Sequence, residues 1–132
     1  MGDIILGIES TAHTAGVGII TSEGQILSNQ RSVYIPDEGE GIHPREAANH
    51  HVEKFPKLFK KAFEESRLSS SDITLVTYAR GPGLGPCLRT GATAARAFAY
   101  THQIPILGVN HCVAHLEIGL LEGCLLYTSP SP

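Results

Sequence analysis

The order in which apolar segments and helical repeats follow one another along the chain leaves few folds open. Residues 4–8 and 17–21 are short apolar runs typical of strands, and residues 25–33 are predicted as a third strand after a turn at Gly24. Links this short indicate an antiparallel meander. Alternating helices and strands follow, so the full order is β-β-β-α-β-α-β-α. This order predicts an α/β domain with a mixed sheet.

The segment from 44 to 66 is predicted as the first helix. Pro44 suits the first helical position, where its missing N–H costs nothing. Apolar residues recur at helical spacing, at Ala48, Val52, Phe55, Phe59 and Ala62. Pro56 interrupts this pattern, and we expect it to kink the helix or to split it into two.

Two further strands are predicted at 73–78 and 104–109, on either side of a helix of small residues at 88–101. The loop at 81–86 is no dinucleotide fingerprint, because Pro86 stands where the third glycine is required, and no Walker lysine follows. We predict a rigid connection that brings the helix N-terminus towards a cleft. Arg89, on that helix, is either an anion contact or an exposed helical arginine.

Composition excludes several classes of protein. The chain has 132 residues and a net charge of −3, which suits a single domain and argues against a strongly basic nucleic-acid binder. Its three cysteines form no CxxC motif, as expected of reduced thiols in the cytoplasm. Neither a signal peptide nor a membrane-spanning segment is predicted. We therefore expect a cytoplasmic protein, with the nucleus as a second compartment for a eukaryotic source.

Polar residues fill the turn between the first two predicted strands. Backbone N–H groups in such a turn can bind phosphate, and the hydroxyls of Ser10 and Thr11 can add donors. Glu9 can reach a metal or a bound water, and His13 can donate to a phosphate. The alternative is a polar hairpin tip without a ligand.

A pair of histidines opens the third predicted helix, around residue 111. His111 and His115 are four residues apart and therefore lie on one helical face, as in half of a zinc or iron site. The alternative is an unliganded pair. A metalloprotease would need a glutamate where Cys112 stands. The remaining histidines, 43, 50, 51 and 102, are expected on the surface, with Glu46 and His50 in a solvated contact.

Four motifs occur together in this order: IESTAHT at 8–14, GIHPREAA at 41–48, GPGLGP at 81–86 and NHCVAHLE at 110–117. Together they resemble the catalytic subunit of tRNA N6-adenosine threonylcarbamoyltransferase, a family once labelled O-sialoglycoprotein endopeptidase. The Ala-His-Thr sequence at 12–14 resembles the archaeal and eukaryotic branch, which belongs to the KEOPS complex. The resemblance covers residues 3–119.

The resemblance implies a fold and an activity. The fold is a ribonuclease-H-like first lobe of an actin-like ATPase over residues 3–119. The activity is transfer of a threonylcarbamoyl group from its adenylate to N6 of adenosine 37, in tRNAs that read codons beginning with A. His111 and His115 match the metal ligands for one divalent Fe or Zn, and the turn at Ser10, Thr11 and His13 matches the nucleotide site. No catalytic residue is assigned.

The resemblance also implies partners. These are tRNA, a small protein kinase subunit and a small dimerising subunit that docks on the helical segment 44–66. One alternative is a non-catalytic module that keeps only this docking surface. Another is the lobe of a sugar kinase, which would leave the paired histidines unexplained.

The chain departs from the family pattern near Leu120. Residues 120–132 contain no Ser-Gly-Gly phosphate loop, and we expect the second lobe of the family to be missing from this chain. Tyr127 resembles a family tyrosine, but Pro130 replaces the glycine of that motif. We expect this tail to be either foreign sequence or the product of a frameshift, and the 132-residue chain to be inactive by itself.

Overall fold

The computed structural model describes residues 2–122, with side chains described up to residue 118. The first three strands pair antiparallel in chain order: β1 (Ile4–Glu9), β2 (Thr14–Thr21) and β3 (Ile26–Val33). This confirms the predicted meander. The second strand begins earlier than predicted, since Thr14 already pairs with Val33. The sequence did not indicate this start because the small residues after Thr14 give no clear apolar signal.

Two further strands extend the sheet in parallel: β4 (Leu75–Gly81) and β5 (Ile106–Asn110). β4 pairs with β1 and β5 pairs with β4, so the strand order is β3-β2-β1-β4-β5. The sheet is therefore mixed, as predicted. The carboxyl ends of β1, β4 and β5 lie at one edge, which is where open α/β sheets bind their ligands.

Two helices cover one face of the sheet: α1 (Pro44–Ser66) and α2 (Gly85–His102). Alternate residues of the strands point towards them, and each large apolar side chain buried there contributes about 1.5–3 kcal/mol. Phe59 of α1 stacks on Phe98 of α2 at 5.9 Å between ring centres. The large apolar side chains buried in this core are Ile4, Leu6, Ile8, Val17, Ile19, Phe55, Leu58, Ile73 and Val76.

The first helix is a single helix, so the predicted split at Pro56 is wrong. A proline inside a helix costs about 3 kcal/mol, but buried anchors lie on both sides of it and hold one continuous face against the sheet and α2. That face is also shifted from the predicted stripe, since Val52 is 60% exposed. The buried positions are Ala47, His51, Phe55, Leu58 and Ala62.

The third helix, α3 (His111–Glu122), follows β5 directly and begins at the predicted residue. It borders a cleft on the sheet face that carries Gly7 and Glu9, opposite to α1 and α2. The predicted boundary at residue 120 falls within α3, and residues 123–132 of the tail, with Tyr127, lie outside the described part of the chain. No helix within residues 2–122 has both the length and the apolar character needed to cross a membrane.

Candidate functional site

A cleft of about 360 Å³ lies between α3 and the carboxyl edge of the sheet. Glycines on β1 and β2 leave room for it, because no side chain rises from the sheet at these positions. The cleft is lined by Glu9, His111 and His115, among other residues. The structure thus brings the acidic end of β1 and the predicted metal half-site together.

The two histidines of α3 that the sequence predicts as a metal half-site face each other. Their Nε2 atoms lie 3.1 Å apart and their rings are perpendicular. On the other side of its ring, the Nδ1 atom of His111 lies 3.5 Å from a carboxylate oxygen of Glu9. Asn110, just before the helix, accepts a hydrogen bond from the Val113 N–H and so caps the helix that presents both rings. The sequence signal for this role is an asparagine at the N-cap position.

The spacing of the two nitrogens fits one metal ion. Two Nε2 atoms 3.1 Å apart can both bind an ion at about 2.1 Å, with an angle of about 95° at the metal, between octahedral and tetrahedral values. A complete site needs further ligands. Within residues 2–118, whose side chains are described, no group of three histidine, cysteine, aspartate or glutamate side chains is placed to hold a metal.

Ser10 has a packing role that the sequence did not reveal. Its side chain is 1% exposed. Its hydroxyl donates to the Cys87 carbonyl at 2.7 Å and accepts from the Gly91 N–H at 3.0 Å. The hydroxyl is thereby engaged with the first turns of α2 and has no proton left to donate to a phosphate. Because the whole residue is 1% exposed, Ser10 has no accessible group for a phosphate, and the predicted phosphate contact by its hydroxyl is wrong.

The rest of the turn is held through carbonyl oxygens. The Thr11 carbonyl accepts from the Leu84 N–H at 2.8 Å, and the His13 carbonyl accepts from the Tyr34 N–H at 2.7 Å. The Thr11 hydroxyl donates to Glu9 at 3.0 Å. Among the described residues, none accepts a hydrogen bond from the backbone N–H groups of residues 10–13. The turn is fixed in position, and its unpaired N–H groups at half-buried Ala12 and exposed His13 are accessible to an anion.

The loop that precedes α2 packs tightly on this turn. A Cβ atom on Gly83 would lie 2.6 Å from the Thr11 carbonyl oxygen, so only glycine fits there. The loop therefore does bring the start of α2 to the turn, as predicted. Arg89 lines a groove between α1 and α2 instead, on the helix side away from the cleft. Arg89 is exposed on α2, in agreement with the alternative of an exposed helical arginine.

Two of the remaining histidines are not on the surface as predicted. His51 is 0% exposed and donates to the Ala12 carbonyl at 2.7 Å. His50 is partly buried and contacts His51 and Ser32, whereas Glu46 accepts from the Tyr34 hydroxyl instead of pairing with His50. Burial is the main cause that lowers the pKa of both histidines. Both rings are accordingly neutral at physiological pH.

Comparison with known proteins identifies the family. The TsaD family model, described as tRNA N6-adenosine threonylcarbamoyltransferase, matches residues 24–130. A protein of that name from Methanopyrus kandleri is 55% identical over 118 residues, which are 89% of this chain and 34% of the relative. A probable bifunctional tRNA threonylcarbamoyladenosine biosynthesis protein of Methanocaldococcus jannaschii is 53% identical over 118 residues, 89% of this chain and 22% of the relative. The chain spans about a third or less of the length of these curated relatives.

Solved structures agree on the architecture. YeaZ from Pseudomonas aeruginosa matches with a TM-score of 0.71 at 16% identity, over 92% of this chain and 49% of that chain. Thermus thermophilus RuvC in complex with a Holliday junction substrate matches with a TM-score of 0.55 at 13% identity, over 98% of this chain and 82% of that chain. Identities this low concern the fold alone, and they confirm the predicted ribonuclease-H-like lobe. With the family match over most of its length, the chain belongs to the tRNA N6-adenosine threonylcarbamoyltransferase family, TsaD.

Proposed function

We propose that this chain supplies one lobe of an enzyme that transfers a threonylcarbamoyl group from threonylcarbamoyl-adenylate to N6 of adenosine 37, in tRNAs reading codons that begin with A. The observation that carries the proposal is the pair of Nε2 atoms of His111 and His115, 3.1 Å apart in the wall of the cleft. Membership of the family supports the reaction class.

His111 and His115 bind one divalent ion, Fe or Zn, through their Nε2 atoms. The ion supplies Lewis-acid polarisation of the activated carbamoyl group when it is bound. Glu9, 3.5 Å from Nδ1 of His111, orients that ring and keeps Nε2 directed at the site.

The turn at residues 10–13 binds the phosphate of the adenylate. Its free N–H groups are the donors, and exposed His13 adds a further one. Ser10 holds the turn against α2 through the hydrogen bonds of its hydroxyl to Cys87 and Gly91. The remaining metal ligands come from the part of the family's length that this chain does not span, so we expect the 132-residue chain to be inactive alone.

Metal content and transfer activity of the complete protein that contains this chain test the proposal. His111→Ala and His115→Ala should each lower the bound metal, measured by elemental analysis, by about 10-fold or more and abolish modification of tRNA. His43→Ala removes an exposed histidine that is distant in sequence from α3, and it serves as the matched control. Full metal content and full activity in both α3 variants would contradict the proposal.

A docking surface on α1 and α2 is the second part of the proposal. An apolar groove of about 570 Å³ runs between the two helices and is lined by Val52, Phe55, Pro56, Phe59 and Phe98. Val52 leaves an apolar side chain in solvent at its rim. We assign this groove to the small dimerising subunit of the KEOPS complex. Because this chain has a net charge of −3, its partners, including the small kinase subunit, supply the positive surface that binds tRNA.

Binding measured with the purified dimerising subunit separates the docking role from catalysis. Val52→Glu should weaken the interaction at least tenfold, because a carboxylate would be desolvated in the interface. Lys57→Glu places the same acid on an exposed part of α1 outside the groove and should have little effect. Equal affinities for both variants would exclude the groove. Equally tight tRNA binding with and without the partners would remove the argument from charge.

A further inference from the structure

A line of three polar contacts connects the outer strand β3 to the turn at residues 10–13, and the proposed function uses none of them. Ser32 Oγ lies 3.0 Å from His50 Nε2. His50 Nδ1 lies 2.9 Å from His51 Nδ1. His51 Nε2 lies 2.7 Å from the Ala12 carbonyl oxygen. We call this line the histidine relay.

The carbonyl at one end sets the direction of every hydrogen bond in the relay. A carbonyl oxygen only accepts, so His51 must carry its proton on Nε2. In the neutral ring, His51 Nδ1 is then an acceptor, and His50 must donate to it from its own Nδ1. His50 Nε2 is left as an acceptor, which the Ser32 hydroxyl satisfies. The tautomer of each ring is therefore fixed by the hydrogen-bond partner next to it.

The relay in this direction requires a neutral His51 ring. A second proton on His51 would lie on Nδ1 and set it against the Nδ1–H group of His50 across 2.9 Å. A second proton on His50 would lie on Nε2 and reverse the hydrogen bond to Ser32, whose hydroxyl can accept it. Burial lowers the pKa of both rings, which agrees with a neutral His51. The ionisable groups that face the pair from β1, the turn, α1 and the end of β3 are Glu9, His13, Glu53, Lys54, Tyr34 and Glu46.

We infer that His51 is a positioning residue of the nucleotide site: with His50 as the Nδ1–H tautomer behind it, His51 holds the Ala12 carbonyl and thereby the direction of the N–H groups in the turn. The turn is tied to α1 through a contact in which His51 is fully buried and Ala12 is half-buried. The effect on ligand binding rests on the proposed function, whereas the two tautomers do not.

Histidine NMR of the complete protein tests the tautomers directly. Two-bond ¹⁵N–¹H correlations should show His51 protonated on Nε2 and His50 protonated on Nδ1 at neutral pH, the latter being the minor form of histidine in water. Signals that disappear in His50→Asn and His51→Gln assign the two rings. A neutral His50 protonated on Nε2 alone, or a cationic His51 ring, would overturn the relay.

Affinity for a nucleotide tests the positioning role, with ATP as the probe. His51→Leu removes the side-chain donor to the half-buried Ala12 carbonyl and should raise Kd about tenfold. His51→Gln places an amide donor where Nε2 stands and should restore most of the affinity, which also covers the case in which the leucine variant fails to fold. Metal content at His111 and His115 should stay unchanged in both.

The outcomes separate the two proposals. Equal ATP affinity in the wild-type, leucine and glutamine proteins would overturn the positioning role and leave the proposed function standing. A wild-type protein that binds no ATP would overturn the positioning role together with the nucleotide part of the proposed function, while the NMR result would still decide the relay.

Discussion

Gly91 shows how closely single atoms set the spacing between α2 and the turn. A Cβ atom at this position would lie 2.3 Å from the buried Ser10 hydroxyl oxygen. Gly91→Ala should therefore destabilise the fold by about 1–3 kcal/mol through overpacking, although alanine is the better helix former. Urea unfolding measures the change. Gly85→Ala, at a helical position with open space around it, is the control and should be neutral or slightly stabilising.

The buried histidines should make stability depend on pH. Their pKa values are lowered in the folded chain, so the unfolded chain binds more protons as pH falls below about 6.5. The contribution of these two histidines to the free energy of unfolding should therefore be constant above this value and decrease below it, by at most about 1.4 kcal/mol per pH unit for each histidine. The double variant His50→Asn/His51→Gln lacks these protons and should show a shallower decrease. Identical pH profiles would contradict the assignment.

At the scale of elements, local patterns were sufficient for most boundaries. Apolar runs and short turns predicted the strands, Pro44 marked the start of α1, and histidine spacing marked the start of α3. The stripe of α1 was predicted one position out of place, because His51 was counted as a surface residue. Its hydrogen-bond partner, the Ala12 carbonyl, lies 39 residues earlier and is visible only in three dimensions.

The same limit applies to the site. The spacing of His111 and His115 predicted a shared helical face, and the structure adds the distance between their nitrogens. Ser10 was predicted as a phosphate donor because a hydroxyl in a turn is normally free. Its engagement with α2 depends on contacts with residues about eighty positions later, which no local pattern contains.

Pro56 offers a prediction at the scale of one helix. It lies inside α1, where it removes a backbone hydrogen bond. Pro56→Ala should stabilise the protein by about 1–3 kcal/mol, with a corresponding rise in Tm. Pro44→Ala is the matched control, because proline is favourable at the first helical position and its removal should bring no gain. An unchanged Tm for Pro56→Ala would show that the helix already compensates for the missing bond elsewhere.

At the scale of the whole molecule, β5 and α3 together carry five of the eleven exposed large apolar side chains among the described residues. These are Ile106, Leu107, Val113, Leu116 and Ile118. We predict that the 132-residue chain self-associates through these side chains, so its sedimentation coefficient should rise with concentration. Leu107→Thr with Leu116→Gln should reduce the rise. Tyr100→Gln, which removes an 89% exposed ring on α2, should not.

The turn at residues 10–13 is held in place by the main-chain carbonyl oxygens of Thr11, Ala12 and His13. Every amino acid has such a carbonyl, so these three contacts survive replacement of the side chains that accompany them. The backbone path of the turn therefore does not depend on which side chains the turn carries. Ligand preference can drift by mutation at positions 12 and 13 with little loss of foldability, which makes this turn a natural place for selection, or a protein engineer, to alter what the lobe binds.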